Sequence, residues 1–291
     1  MEAEQLRALV AVVDCGTFDR AAALLHVTPS AVSQRIKALE ADVGTILVQR
    51  SKPVRPTRQG EVLLRTARQV THLLDDASVT LAGADEPGSR RRVRVPVVAN
   101  ADSLATWLST AVADLCRLPS LELALRRDDE AVTADLLRSG EVMAAVTAEP
   151  TPVQGCEVHH LGTMRYRAKA SRRFIRRWFP DGPTPQALRL APVLHYDQKD
   201  GHQDRLLHAV APGARPPGHF VPDSAQYVAM VRAGVAWGMV PDLQDPNDQL
   251  LTLDPAWSEQ VRLHWQVWKL GSGALDLVTA AVVRAAARHL H

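Results

Sequence analysis

Between Phe18 and Gly44 the chain reads FDRAAALLHVTPSAVSQRIKALEADVG, two short amphipathic segments separated by a tight break. This stretch constrains the fold most, because its second segment must bury one face while the other stays small, polar and basic. At about 100° per residue, Val32, Ile36, Leu39 and Val43 share the inward side, while Ser30, Gln34 and Lys37 share the outward side with Ser33 at its margin. Thr28-Pro29 marks the start, a capping hydroxyl followed by proline at the first helical position. Upstream, Leu6, Leu9, Val10 and Val13 form one helical stripe that Gly16 ends. Thr17 caps the next helix, Asp19 in its first turn suits the dipole, and Ala21, Ala22 and Leu25 permit close helix approach.

A slim helix of this kind can enter a DNA major groove, with Ser and Gln meeting base edges and Lys reaching bases or phosphates. The same pattern also describes an ordinary three-helix bundle with a solvated polar face. The adjoining segment favours the groove: Thr45 to Thr57 carries Arg50, Lys52 and Arg55 with Pro53 and Pro56. It reads as a short basic hairpin or wing beside the third helix, within reach of phosphates or the minor groove. A solvated loop is the alternative for these charges.

The run Ala21-Ala22, Leu25, Ser30-Ala31-Val32-Ser33, Ile36, Leu39-Glu40, Gly44, Leu47, Arg50, Pro56-Thr57 and Gly60 resembles the LysR-type transcriptional regulators. Val48 departs from the commoner pattern, where Phe is usual, and so does Pro56, where Leu is usual. The phrase PVRPT, Pro53 to Thr57, is similar to the branch of arginine- and lysine-exporter regulators. The resemblance spans the whole chain and is strongest before Thr66. It implies an α/β protein with an N-terminal all-α winged helix-turn-helix and a C-terminal two-lobed effector domain resembling periplasmic binding proteins. In this reading Thr28, Ser30, Ala31, Ser33, Gln34, Lys37, Arg50, Lys52 and Arg55 contact double-stranded DNA. It further implies dimers that often pair into tetramers, and RNA polymerase as a further partner.

No glycine or proline interrupts the chain between Gly60 and Gly83, and Leu63, Ala67, Val70, Leu74, Ala77 and Leu81 recur at alternating spacings of four and three. That is a heptad seam, which predicts a coiled-coil homodimer and, through its two-fold axis, an imperfect inverted-repeat operator. An amphipathic helix lying on its own chain is the alternative. The expected boundaries are a DNA-binding domain at 1–58, a dimerisation helix at 59–83, a hinge at 84–91 and an effector domain at 92–291. Lobe one would take about 92–160 and 265–291, and lobe two about 161–264.

After Arg92, strands alternate with helices. Val93–Ala99, Leu121–Leu125 and Val142–Thr147 read as strands, with helices expected at Asp102–Leu118 and Ala131–Ser139. A second unit has strands at Ala191–Tyr196 and Val235–Val240 around a helix at Ser224–Ala233. A strand at Leu263–Leu270 and a last helix from Ala274 return to lobe one. Ligands of such sheets sit off the carboxyl ends of strands, which selects Asn100, Asp102, Ser103, Thr147, Glu149, Asp197, Asp200 and Asp223. Ser103 at a helix start suits a carboxylate, Asp102 an α-amino group, and the acidic loops a cationic side chain. Together they suit lysine, arginine or histidine. Each has a plainer reading: Asp102 and Asp223 as N-caps, Glu149 in a turn before Pro150, Asp197 and Asp200 in a solvated loop.

Composition narrows the classes. The formal charge is only +2, so positive charge for DNA must be local, and it gathers between Arg35 and Arg58. This argues against a general DNA-architecture protein. Cys15, Cys116 and Cys156 are scattered and form neither a disulfide framework nor a metal set. The histidines lack the paired spacing of a zinc protease, and no nucleophile elbow, phosphate loop or dinucleotide fingerprint occurs. No cofactor, metal or catalytic residue is expected. With neither a signal peptide nor a spanning segment, the expected location is the cytoplasm.

Overall fold

The structure, a computed structural model, describes residues 1–82, 92–128 and 130–291; the expected hinge at 84–91 lies outside the described residues. The N-terminal head comprises α1 (Ala3–Cys15), α2 (Phe18–Leu25) and α3 (Pro29–Val43), a wing of β1 (Val48–Gln49) and β2 (Arg55–Pro56), and then α4 (Arg58–Ala82). Local chemistry sets each boundary. Gly16 ends α1 in the left-handed region, and Thr17 caps α2 by accepting from the Arg20 N–H at 3.3 Å. Leu6, Leu9, Val12, Ala21, Ala22, Val32, Ile36, Leu39 and Leu47 fill the core. Val43 departs from its expected inward position and is 43% exposed; it lies in the last turn of α3, where the chain swings away through Gly44. At Gly60 a β-carbon would lie 1.9 Å from the Leu47 carbonyl oxygen, so α4 crosses the base of the wing where only glycine fits.

The expected seam along α4 is divided. Ala67 is fully buried in the head's own core, so it does not face a second chain as expected, and Leu63 and Val70 are half-buried beside it. Leu74, Ala77 and Leu81 remain exposed, Leu81 at 87%. The reason is steric: α1 packs along α4, where Arg68 donates to Asp14 and Arg7 to Asp75. A third face, with Arg68, His72, Asp76 and Val79 buried, lies against the second domain of the same chain.

That domain continues with β3 (Val93–Ala99), α5 (Ala101–Ala105), α6 (Leu108–Leu115), β4 (Leu121–Arg127), α7 (Glu130–Ser139), β5 (Ala144–Thr147) and β6 (Cys156–Ala170). Then come α8 (Arg172–Trp178), α9 (Pro185–Leu188), β7 (Val193–His195), α10 (His202–Val210), β8 (Gly218–Phe220), α11 (Ser224–Arg232) and β9 (Gly238–Pro241). It closes with β10 (Leu251–Thr252), β11 (Ser258–Trp268) and α12 (Gly273–His289). The main sheet runs β10-β6-β11-β5-β3-β4, with β9 also on β6. β3 pairs in parallel with β4 and β5, as apolar strands covered by helices do. β6 and β11 run antiparallel from Cys156 opposite Trp268 to Arg167 opposite Ser258, and so cross both lobes. Their register shifts at Leu263/His264, and Gly162 at φ 130° sits in the same place; a bulge there bends the pair. Lobe two adds parallel β7 and β8, bridged to the rest through Val193 and Trp237.

Several elements differ from the sequence expectation: β6 has no counterpart in it, and β9 begins at Gly238 rather than Val235. The single helix over Asp102–Leu118 is broken between α5 and α6, where Thr106 leaves helical geometry and Trp107 is buried to 1% exposure. The indole N–H donates to Ser103 Oγ at 3.1 Å, so burying the tryptophan overrides helix continuity. β11 begins at Ser258 rather than Leu263, because β6 gives its polar first half a partner.

Candidate nucleic-acid interface and effector cleft

The head presents α3 outward. Its inner stripe is held by Val32, Ile36 and Leu39 at 0% exposure, and Arg35 pairs with Glu4 of α1 at 3.1 Å. Thr28 Oγ1 accepts from the Ala31 N–H at 3.2 Å and lies 2.9 Å from Ser30 Oγ. This fixes the first turn, where recognition helices meet base edges. Ser30, Gln34 and Lys37 are exposed, with Ala31 and Ser33 half-buried beside them. Among the described residues, the side chains of Gln34, Lys37, Lys52 and Arg55 have no protein partner, so all four are available to a ligand. The wing stands next to α3 because Glu40 Oε1 accepts from the Leu47 N–H at 2.9 Å and the Val48 N–H at 3.4 Å. The Val54 N–H donates to the Gly16 carbonyl at 2.8 Å, anchoring the wing tip to α1. Arg50, Lys52 and Arg55 are exposed, and the Arg50 guanidinium lies 5.6 Å from the Phe18 ring centre. Exposed polar side chains and exposed cations therefore share one surface.

In the second domain, the carboxyl end of β3 faces lobe two. Asn100, rather than Asp102, caps α5, its side chain accepting from the Ser103 N–H at 2.8 Å. Asp102 is thereby free to reach across. Its carboxylate accepts from the Tyr166 hydroxyl at 2.8 Å and the Ser224 hydroxyl at 2.5 Å, both from the lobe-two side. Gln244 Nε2 donates to the same Ser224 oxygen. Arg127, at the end of β4, donates to the Pro222 carbonyl at 3.2 Å and ties the same two edges.

The remaining candidates behave differently. Ser103 is 0% exposed, with its N–H capped by Asn100 and its hydroxyl taken by Trp107, so it does not open on the cleft. Thr147 is buried and accepts from the Glu149 N–H at 3.1 Å. The Thr151 N–H on the exposed Glu149 carboxylate holds its pKa below the usual value. Asp197 accepts from the Lys199 and Asp200 N–H groups, and Asp200 from those of Tyr196 and His202. Asp223 caps α11 by accepting from the Gln226 N–H at 2.9 Å. Desolvation raises the Tyr196 hydroxyl, opposed by Arg127 and assisted by the charges of Asp102, Asp223 and Asp197. Those three carboxylates and Arg127 therefore act electrostatically on one phenol at the lobe junction. Sequence reasoning did not find Tyr166, Tyr196, Arg127 or Gln244; each comes from a different element, and no local motif announces them. His202 stacks on Tyr166 at 4.7 Å between ring centres and meets Glu259 at 2.7 Å through Nδ1, which stiffens one wall.

A grooved-DNA reader joined by a helix to a two-lobed receptor is the plan of a ligand-responsive regulator. Residues 3–61 match the bacterial regulatory helix-turn-helix protein, lysR family, and residues 67–287 match the LysR substrate binding domain. The chain belongs to the LysR family of transcription regulators. It is 44% identical to the HTH-type transcriptional regulator LysG of Mycobacterium tuberculosis, over 100% of this chain and 95% of that protein. The crystal structure of ArgP from Mycobacterium tuberculosis superposes with a TM-score of 0.85 at 42% identity, covering 100% of this chain and 99% of that one. Full-length LysG from Corynebacterium glutamicum with bound effector Arg superposes with a TM-score of 0.79 at 36% identity, covering 100% of both chains. Among the described residues no helix is long and apolar enough to cross a membrane.

Proposed function

We propose that this regulator senses a basic amino acid, lysine, arginine or histidine, between its two lobes and controls a gene for amino-acid export. The observation that carries the reading is Asp102. A carboxylate freed from capping duty by Asn100 spans the cleft to Tyr166 and Ser224. An effector ammonium can add to both contacts, because an ionised carboxylate accepts several donors at once and forms the stronger bond to a charged one. Asp197 and Asp223, which act on the same Tyr196 phenol, suit the cationic end of the ligand. The Corynebacterium relative with bound arginine supports the ligand class. Leu74, Ala77 and Leu81, the exposed part of the α4 seam, suit a second copy of the chain. Two heads related by a two-fold axis would read an inverted repeat. Differential scanning with lysine, arginine, histidine and neutral or acidic amino acids tests the effector class. A ligand that binds only the folded state raises Tm, so the basic group alone should do so. Stabilisation by neutral or acidic metabolites only would overturn the reading.

A further inference from the structure

Arg68 sits where three parts of the molecule meet. It belongs to α4, its side chain is 6% exposed, and a buried guanidinium needs its donors satisfied. Nη2 donates to Asp14 in the last turn of α1, within the reading head. Nη1 donates at 2.8 Å to the carbonyl oxygen of Ser139, the last residue of α7 in lobe one. Both acceptors are ones a cation suits. The end of α7 carries the partial negative charge of its unsatisfied carbonyls, and Asp14 lies at the negative end of α1. Gly140, at φ 71°, completes the seat: a β-carbon there would lie 3.5 Å from Arg68 Cδ and 3.6 Å from Cβ, so the arginine stem lies along the bare glycine.

The neighbours of Arg68 on α4 continue the same face at helical spacing. The Arg65 guanidinium covers the Trp268 ring at 4.4 Å and donates to the Gln154 carbonyl at 2.7 Å. His72 Nε2 lies 2.9 Å from the hydroxyl of Ser272, the cap of α12. These two side chains join α4 to lobe one only, whereas Arg68 also engages the head. α7 leads directly into β5, whose end carries Thr147 at the lobe junction. A displacement of lobe one therefore reaches the Ser139 carbonyl and, through one guanidinium, Asp14.

We infer that Arg68 is a positioning residue that pins the reading head to lobe one of its own chain, so that a change in lobe closure reorients α3 on DNA. The part concerning closure rests on the proposed effector site; the pin itself does not. Spin labels at Cys116 and at Ala41→Cys, with Cys15→Ser and Cys156→Ser, in full-length chains diluted into unlabelled protein, report the head-to-lobe distance. A narrow distribution is expected for the parent, a clearly broader one for Arg68→Gln, and a narrow one again for Arg68→Lys. An unchanged width in Arg68→Gln overturns the pin. In footprints of operator DNA with and without arginine, Arg68→Gln should retain arginine binding within about two-fold yet lose the arginine-dependent change in protection. A parental footprint change in that variant overturns the transmission role. If the parent responds to no basic amino acid, the effector reading fails, and the label distances still decide the pin.

Discussion

Asp102→Ala removes the one side chain that accepts hydrogen bonds from both Tyr166 and Ser224 across the lobes, at 2.8 and 2.5 Å. A hydrogen bond to a charged group contributes about 1.5–3 kcal/mol. Asp102 is half-exposed, and water competes for its oxygens, so the pair together contributes roughly 2–3 kcal/mol rather than the full sum. At about 1.4 kcal/mol per factor of ten, that is roughly 30- to 150-fold in affinity for a ligand that needs the closed lobes and a carboxylate for its ammonium. Calorimetric titration with arginine measures this directly. Tyr166→Phe and Ser224→Ala each remove one neutral partner and keep the carboxylate, so each should weaken binding only several-fold. All three variants should bind an operator fragment without effector as the parent does, because the head makes none of these contacts. Arginine affinity of Asp102→Ala within two-fold of the parent would refute the assignment of this carboxylate to the effector.

The same geometry sets four further outcomes. Gln34→Ala, on the exposed face of α3, should cost about 1–3 kcal/mol at the operator in gel shifts and relax discrimination among bases, with thermal stability unchanged. Arg55→Gln in the wing should weaken binding alike for all duplexes and lower the salt slope by about one. Burial holds the His72 imidazole below its ordinary pKa, opposed by the charge of Asp76, a hydrogen bond to the Arg94 backbone and the charge of Asp75. The folded state thus stays neutral where the unfolded chain takes up a proton, and its contribution, complete above about pH 6.5, is lost as pH falls below that value; His72→Gln should shrink the drop in Tm between about pH 7.5 and 5.5. Burial pushes the Cys156 thiol up to about 11, opposed by Arg65, while Cys116 is exposed; mass spectrometry after mild alkylation should find Cys116 modified and Cys156 intact until the chain unfolds.

Much of the head is legible in the sequence alone. Thr28-Pro29, Gly44 and the Val32, Ile36, Leu39 stripe are local signals, and a helix is a local structure whose faces follow from spacing. The wing is legible too, since its charges and prolines fall together in the chain. The alternation of strands and helices after Arg92 reveals the class of the second domain for the same reason. Less of the cleft can be read. Strand ends point to Asp102, but not to the role of Asn100 as the cap that frees it.

The amino-acid order by itself determined the helix boundaries of the head, the Val32, Ile36 and Leu39 stripe that must be buried, and the polar face α3 offers. Packing alone decided which distant residues meet. Asp102 finds Tyr166 64 residues away and Ser224 122 residues away, and no periodicity in the chain encodes such a pair. The same holds for α4, whose heptad pattern suits either a twin helix or its own chain. The bulk of α1 and the seat at Ser139 and Gly140 commit two of its faces to its own chain, because buried groups must find partners wherever the fold brings them.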